Sequence, residues 1–378
     1  DIFLYSQANN AGINSNITIT VSSKYSDATS RTYLTGTKSW NITDLGNEAS
    51  VAPTFTGTTI AINNTTIAVT FNEAVFNTNA GSGALEASDF TLSVSGGVAT
   101  VNATPTSISI SGNVYTLGLN LSGTPSGAET LTVVPSGSTA IYDTTGNAAS
   151  TTQSNNSISL NDQAVPIVSG TTIASNNSTI AVTFNEAVFN TNAGSGALEA
   201  SDFTLSVSGG VATVNATPTS ISISGNVYTL GLNLSGTPSG AETLTVVPSG
   251  STAIYDTAGN AALTTQSNNT ISLNDQAAPI VSSVTSTKTN GSYKQGEVIP
   301  ITVTFSEVVD VTETPTLTLE TGESDAVVNY SFGTGSNTLT FNYTVAAGHN
   351  SSNLDYLDTS ALVLNSGTIK DAATNDAT

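Results

Sequence analysis

Apolar and polar positions alternate along most of this chain with a period of two. Ile67, Val69 and Phe71 are separated by polar or small residues, and the same beat returns at Phe90, Leu92 and Val94, at Leu117, Leu119 and Leu121, at Leu131 and Val133, and at Ile158 and Leu160. Such alternation gives a strand one apolar face and one wetted face. A two-sheet antiparallel sandwich is the economical way to bury five or more such faces within about 100 residues. Turn residues fall between the runs, at Asn63-Asn64, Gly96-Gly97, Gly112-Asn113 and Gly146-Asn147. Residues 77–88, with Gly81, Gly83 and Leu85-Glu86-Ala87, predict an irregular loop or a short helical turn.

The pattern is itself repeated. Residues 54–163 recur almost unchanged at 167–276, and 66–144 are identical to 179–257, a period of 113 residues. A third, divergent unit follows Pro279. Its segment Ile301-Thr302-Val303-Thr304-Phe305-Ser306-Glu307 parallels Ile180-Ala181-Val182-Thr183-Phe184-Asn185-Glu186, and 369–375 parallels 254–260. Both long copies place a further strand after that second motif, at 157–160 and 270–273, and the third unit reaches Thr378 without one, so its last strand is expected to be missing. Residues 2–5, 17–21 and 31–34, followed by Trp40, predict three or four strands, too few for a sandwich. The expected organisation is therefore a partial β domain or N-terminal strand segment over 1–50 and three modules over 51–163, 164–276 and 277–378. A faithful tandem copy favours reach or valency over catalysis. Three modules, each about 35 Å long, would span on the order of 100 Å.

Composition narrows the partners. Six Lys plus Arg against 27 Asp plus Glu give a net charge of −21, which argues against nucleic acid and anionic lipid and favours cations as counter-species. With no Cys there is no disulfide framework and no thiolate metal site. The Thr-, Ser-, Asn- and Gly-rich, weakly charged composition points to a secreted, surface-displayed chain. No apolar run approaches the roughly 20 residues that cross a bilayer, so membrane insertion is not expected. The chain opens on Asp1 rather than on a signal segment, as a mature form or a fragment would.

The motifs Thr-Phe-Asn-Glu-Ala-Val (70–75 and 183–188) and Thr-Phe-Ser-Glu-Val-Val (304–309) resemble those of bacterial Ig-like modules. So do Ile-Tyr-Asp-Thr-Ala-Gly-Asn (254–260), Ile-Lys-Asp-Ala-Ala-Thr-Asn (369–375) and the boundary Asp-Gln-Ala-x-Pro (162–166 and 275–279). Such modules occur in giant surface adhesins and S-layer-type proteins, and the long copies look most like those of Bacteroidetes adhesins exported by the gliding-associated type 9 pathway. The resemblance covers about 51–378. It implies an all-β chain of tandem Ig-like antiparallel β-sandwiches in an elongated array at the extracellular cell surface. The implied function is a stalk that extends a binding tip, or alternatively a filament or S-layer subunit linked by donor-strand exchange. Its partners would be neighbouring domains or subunits of the same protein, with the environmental ligand bound elsewhere. Thr374 replaces Gly146 and Gly259 of the long copies, which puts the turn geometry of the third unit in question.

Acidic residues that recur in register are the candidate chemistry. Strand direction brings Glu186, Asp256 and Asn260 to the module end that carries Asp162, and Glu307, Asp371 and Asn375 to the end that carries Asp275. Ca²⁺ takes six to eight oxygen ligands, so each set could form a calcium site at a module boundary. The equivalent set of Glu73, Asp143 and Asn147 meets Glu48 and Ala49 instead and is weaker. The competing reading makes each Asp a turn cap that binds its own backbone. Catalysis is not expected: His349 is the sole histidine, sits in a Gly-His-Asn-Ser loop and has no counterpart in the long copies. Trp40 with Tyr5, Tyr25 and Tyr33 reads as core packing or, in a rival reading, as a carbohydrate platform. Asn-x-Ser/Thr tripeptides at Asn16, Asn41, Asn64 and Asn177 carry little information in so Asn- and Thr-rich a chain. Asp143-Thr144-Thr145 and Asp256-Thr257-Ala258 resemble the short O-glycosylation signal of Bacteroidetes, a weak motif that competes with the calcium reading of the same loops.

Overall fold

The computed structural model describes residues 51–378 together with the backbone of Thr18–Thr20 and Asn41–Thr43, which pair as parallel strands. The expectations for Tyr5, Tyr25, Tyr33, Trp40, Asn16, Glu48 and Ala49, and for an N-terminal donor strand, lie outside the described residues. The chain divides into two compact units, Asp1–Ala164 and Val165–Thr378. Among the described residues there is no α-helix, and the strands outside that first pair run antiparallel.

In the first unit one sheet runs in the order Phe55–Ile60, Thr66–Phe71, Val114–Gly118, Ile108–Ser111. The other runs Ser157–Ser159, Thr130–Pro135, Phe90–Ser95, with a short pair of Thr100–Val101 and Leu121–Ser122 beside them. The alternation dictates which faces meet. Ile67, Val69, Phe71, Tyr115 and Leu117 from the first sheet are buried against Phe90, Leu92, Leu131 and Val133 from the second. Phe71 and Tyr115 meet edge to face at 5.4 Å, and the Tyr115 hydroxyl donates to Val75 O at 3.4 Å. Burial raises the pKa of that phenol. Residues 77–88 form the expected irregular loop, closed by a bridge between Thr78 and Ser82, and the helical turn is a single 3₁₀ turn, Ala87–Asp89.

The second unit opens with the same sandwich, built from Val168–Ile173, Thr179–Phe184, Val227–Gly231 and Ile221–Ser224 against Phe203–Ser208, Thr243–Pro248 and Thr270–Ser272. Its core has sixteen buried apolar residues, each 113 positions beyond a counterpart in the first, and only Phe55, replaced by Val168, changes identity. A separate core follows around Ile301, Val303, Phe305, Val309, Leu339 and Phe341. There the 15-residue strand Val298–Thr312 bends, with an irregular register between Thr304 and Val309. It thereby serves two partners, Ser336–Thr344 with its first half and Thr368–Lys370 with its last residues, and the sheet closes toward a barrel. Strand Thr316–Glu320 pairs with Ala326–Phe332 on one side and with Asp355–Tyr356 and Leu362–Val363 on the other.

Candidate functional site

Each recurring Asp sits in a tight turn, and the turn explains its burial. Asp143, Asp256 and Asp371 are all buried. A carboxylate so placed stays charged only if hydrogen bonds replace its water. Asp143 Oδ1 accepts the Thr145 and Asn147 amides at 2.7 and 2.9 Å, and Oδ2 accepts Asn147 Nδ2 at 2.5 Å. Burial pushes the Asp143 carboxyl up, but these donors together outweigh it and hold the group below the usual carboxylate range. In the second copy the Asn260 amide and Nδ2 reach the two Asp256 oxygens at 2.8 Å each, and Asn375 does the same to Asp371, also at 2.8 Å. The backbone cap is thus present at all three positions. Asn260 and Asn375, expected as ligands, orient these carboxylates through their NH₂ groups. The turn also survives the loss of glycine: Thr374 takes a φ of 74°, beside 89° and 91° at Gly146 and Gly259.

The cap does not use up the carboxylates. One oxygen each of Asp275, Glu307 and Asp371 lies within 4.8 Å of the others, so these three expected residues come together. Asp275 follows the strand Thr270–Ser272 and is fixed by its own turn, with Oδ1 accepting the Ala277 amide at 2.9 Å. Glu307 stands in the bend of Val298–Thr312. Asn375 Nδ2 also reaches Ala277 O at 3.2 Å, tying the Asp371 turn to the Asp275 turn. Desolvation first, and then the negative charges of Asp275 and Asp371, raise the Glu307 pKa. Three hard oxygen donors with excess negative charge suit a divalent cation such as Ca²⁺ or Mg²⁺ and offer nothing to a soft metal. One copy earlier, Glu186 and Asp256 likewise bring carboxylate oxygens within 4.8 Å of each other. Asp162 belongs to the first unit, where its Oδ1 accepts the Ala164 amide at 2.9 Å. Glu73 accepts Asn72 Nδ2 at 3.1 Å.

Sequence reasoning missed a second pair of carboxylates. Glu129 and Glu242 are fully buried. Glu242 Oε1 accepts the Val211 and Ala212 amides at 2.8 and 3.0 Å, and Oε2 accepts the Ser239 amide at 2.9 Å; Glu129 repeats the set with Val98, Ala99 and Ser126. Burial raises the Glu242 carboxyl, yet the backbone donors prevail and bring it down to about 2. A Cβ on Gly97, at φ 53°, would stand 2.0 Å from Glu129 Oε1, so a glycine there is obligatory. The only trace in the sequence is a Gly-Gly pair, Gly96-Gly97 or Gly209-Gly210, about 30 residues before a Glu that directly precedes an alternating strand.

The third core also carries a cavity of about 810 Å³ at one end. His349 lies on it, hydrogen-bonded through Nδ1 to the Tyr343 hydroxyl at 2.7 Å and stacked on that ring at 5.8 Å.

No family model and no curated protein matches the chain. Among solved structures it is distantly similar to the N-terminal part of the bacterial S-layer protein SbsC, with 18% identity over 48% of this chain and 44% of that one and a TM-score of 0.22. The extracellular region of plexin A4 gives 8% identity over 84% of this chain and 24% of that one, with a TM-score of 0.17. The chain spans less than half the length of either, and at such TM-scores neither likeness fixes a role.

Proposed function

We propose that this chain is a repeat segment of a secreted bacterial surface adhesin, a stalk that holds a binding tip away from the cell. The observation that carries the reading is the duplication of complete cores: sixteen buried positions repeat at the same spacing, fifteen with the same residue. Selection for a distance tolerates exact copies, and selection for a second active site has no use for them. The motif resemblance to bacterial Ig-like adhesin modules and the polar, acidic, β-prone composition support a surface setting. In this reading the chain is not an enzyme, and the engagement of His349 by Tyr343 supports a packing role for the only imidazole.

Calcium belongs to the same proposal. Asp275, Glu307 and Asp371 would bind Ca²⁺ and stiffen the connection around Ala277, which Asn375 already touches. Small-angle scattering of the whole chain, with 2 mM calcium and with chelator, tests both parts. A largest dimension on the order of 100 Å supports the stalk. A globular profile contradicts it, and profiles that coincide with and without calcium remove the cation from the account.

A further inference from the structure

The two main sheets of each long copy have four outer edges, and three of them are covered. Phe55–Ile60 is shielded by the chain around Ser157–Ser159: Gln153 Oε1 accepts the Phe55 amide at 3.0 Å, and Thr58 Oγ1 donates to Ser157 O at 3.3 Å. That last contact also closes the outer side of Ser157–Ser159. On Phe90–Ser95 the Leu92 amide donates to Ala103 O at 2.7 Å. The fourth edge, Ile108–Ser111, pairs with Val114–Gly118 on one side and, among the described residues, with no strand on the other. Its copy Ile221–Ser224 is bare in the same way, while Val168, Thr171 and Leu205 repeat the three covers.

The bare edge is open in the middle of a module, and nothing blunts it. The Gly118 amide donates to Ser107 O at 2.9 Å. By antiparallel alternation Ser109 and Ser111 also turn their main-chain groups inward, and Ile108 and Ile110 turn theirs outward. No bulge interrupts the register, and residues 90–128 contain no Asp, Glu, Lys or Arg although the chain carries a net charge of −21. Ile110 is 46% exposed beside a hollow of about 330 Å³ lined by Val75, Leu85 and Tyr115. The divergent third module closes this place: Ala326–Phe332 pairs with Ser336–Thr344 and, on its other side, with Thr316–Glu320.

We propose that this edge is a self-association surface, and that its occupant is the same edge of a second copy of this chain, antiparallel about a two-fold axis at Ser109. The sequence of the edge carries the choice of partner. Residues 107–111 read Ser-Ile-Ser-Ile-Ser in either direction, so pairing about Ser109 sets Ile108 against Ile110 of the other chain and serine against serine. The outward amides and carbonyls of the two isoleucines then meet their counterparts, and the opposing Ile108 lies toward the hollow beside Ile110. Charge points the same way, because chains this acidic repel one another and an uncharged hairpin is where that repulsion is least. The surface stands apart from the stalk reading, since it follows from the edges of one module, and its failure would leave that reading in place.

The test uses the whole chain with changes made in both copies. Sedimentation equilibrium is expected to show reversible association that strengthens as salt screens the charge. Ser109→Lys with Ser222→Lys sets like charges across the axis and is expected to weaken association about tenfold or more without moving the melting transition. The matching Glu chain should self-associate as poorly, and an equimolar mixture of the two should recover the association of the parent. Because the chain has no cysteine, a Ser109→Cys variant should form covalent dimers under mild oxidation, whereas Thr59→Cys, exposed on a covered edge strand, should not. A parent chain that stays monomeric at high concentration and high salt would overturn the proposal. So would association that the Lys changes leave intact, a Lys and Glu mixture that fails to recover it, or equal cross-linking at positions 109 and 59. A disulfide closed within one chain carrying both Ser109→Cys and Ser222→Cys would overturn it too, by assigning the two edges to each other.

Discussion

Thr374 isolates what a single residue can cost. It adopts the left-handed turn that glycine fills in both long copies, with the Thr374 amide still bonded to Asp371 O at 3.2 Å. A β-branched residue pays about 1–2 kcal/mol for that conformation, part of which glycine returns as unfolded-state entropy. Thr374→Gly is therefore expected to stabilise the third module by about 0.5–1 kcal/mol in urea titrations, whereas Gly259→Thr, which drives a Cβ to 2.6 Å from Asn192 O, should destabilise by more. Glu242 makes a prediction in pH. Its folded pKa is depressed to about 2, so the unfolded chain binds more protons once the pH falls below about 4.5. The stability it contributes is complete above that value and is lost as the pH drops through about 2. Glu242→Gln should lower the neutral-pH stability by about 1–3 kcal/mol and flatten the acid limb of a stability–pH curve. Glu307 has the opposite sign. Its folded pKa is raised by desolvation and by Asp275 and Asp371, so its ionised form weakens the native state above its folded pKa. Without calcium, Glu307→Gln should raise the melting temperature at pH 7; calcium should reverse the order by stabilising the parent chain more than the variant. A parent chain that melts alike with calcium and with chelator would dismiss the ion.

At the scale of elements, the strands with strict alternation were legible and the others were not. Thr66–Phe71 and Thr130–Pro135 bury every second residue, Phe90–Ser95 buries Phe90 and Leu92 with Val94 half-buried, and all three stand where the pattern put them. Phe55–Ile60 escaped because its middle is Thr-Gly-Thr-Thr, a strand held by pairing with Thr66–Phe71 and by only a few apolar contacts. Ile108–Ser111 escaped because it is a sheet edge with both faces largely wet. The run Leu117, Leu119, Leu121 reads as one strand but breaks into two at residues 119–120, since Val114–Gly118 and Leu121–Ser122 serve different sheets. Of the candidate site, the meeting of Asp275, Glu307 and Asp371 was foreseeable from strand direction alone. The Glu242 cap was not, because its three backbone donors come from loops about 30 and three residues away and leave only a distant Gly-Gly pair in place of a contiguous motif. The last strand allows a direct check of its packing role. Leu273→Ala removes a fully enclosed side chain and should cost about 2–5 kcal/mol, and Leu160→Ala in the first unit should cost the same within error because the two cores match.

For the whole molecule, the account stands on modules that fold and bear load as separate bodies. Each long copy closes its own core with its own buried Glu and its own aromatic pair, Phe71 with Tyr115 and Phe184 with Tyr228. Nothing in that inventory is shared between the copies, so neither requires the other to hold its shape. The net charge of −21 keeps such a chain soluble and self-repelling, and screening it with salt should change association far more than fold. Stretching single molecules between their ends tests the central claim most directly. The account predicts two unfolding events of equal extension for the long copies, each releasing roughly 400 Å of chain, plus a separate event for the third module. A single cooperative rupture that frees both copies at once would contradict it.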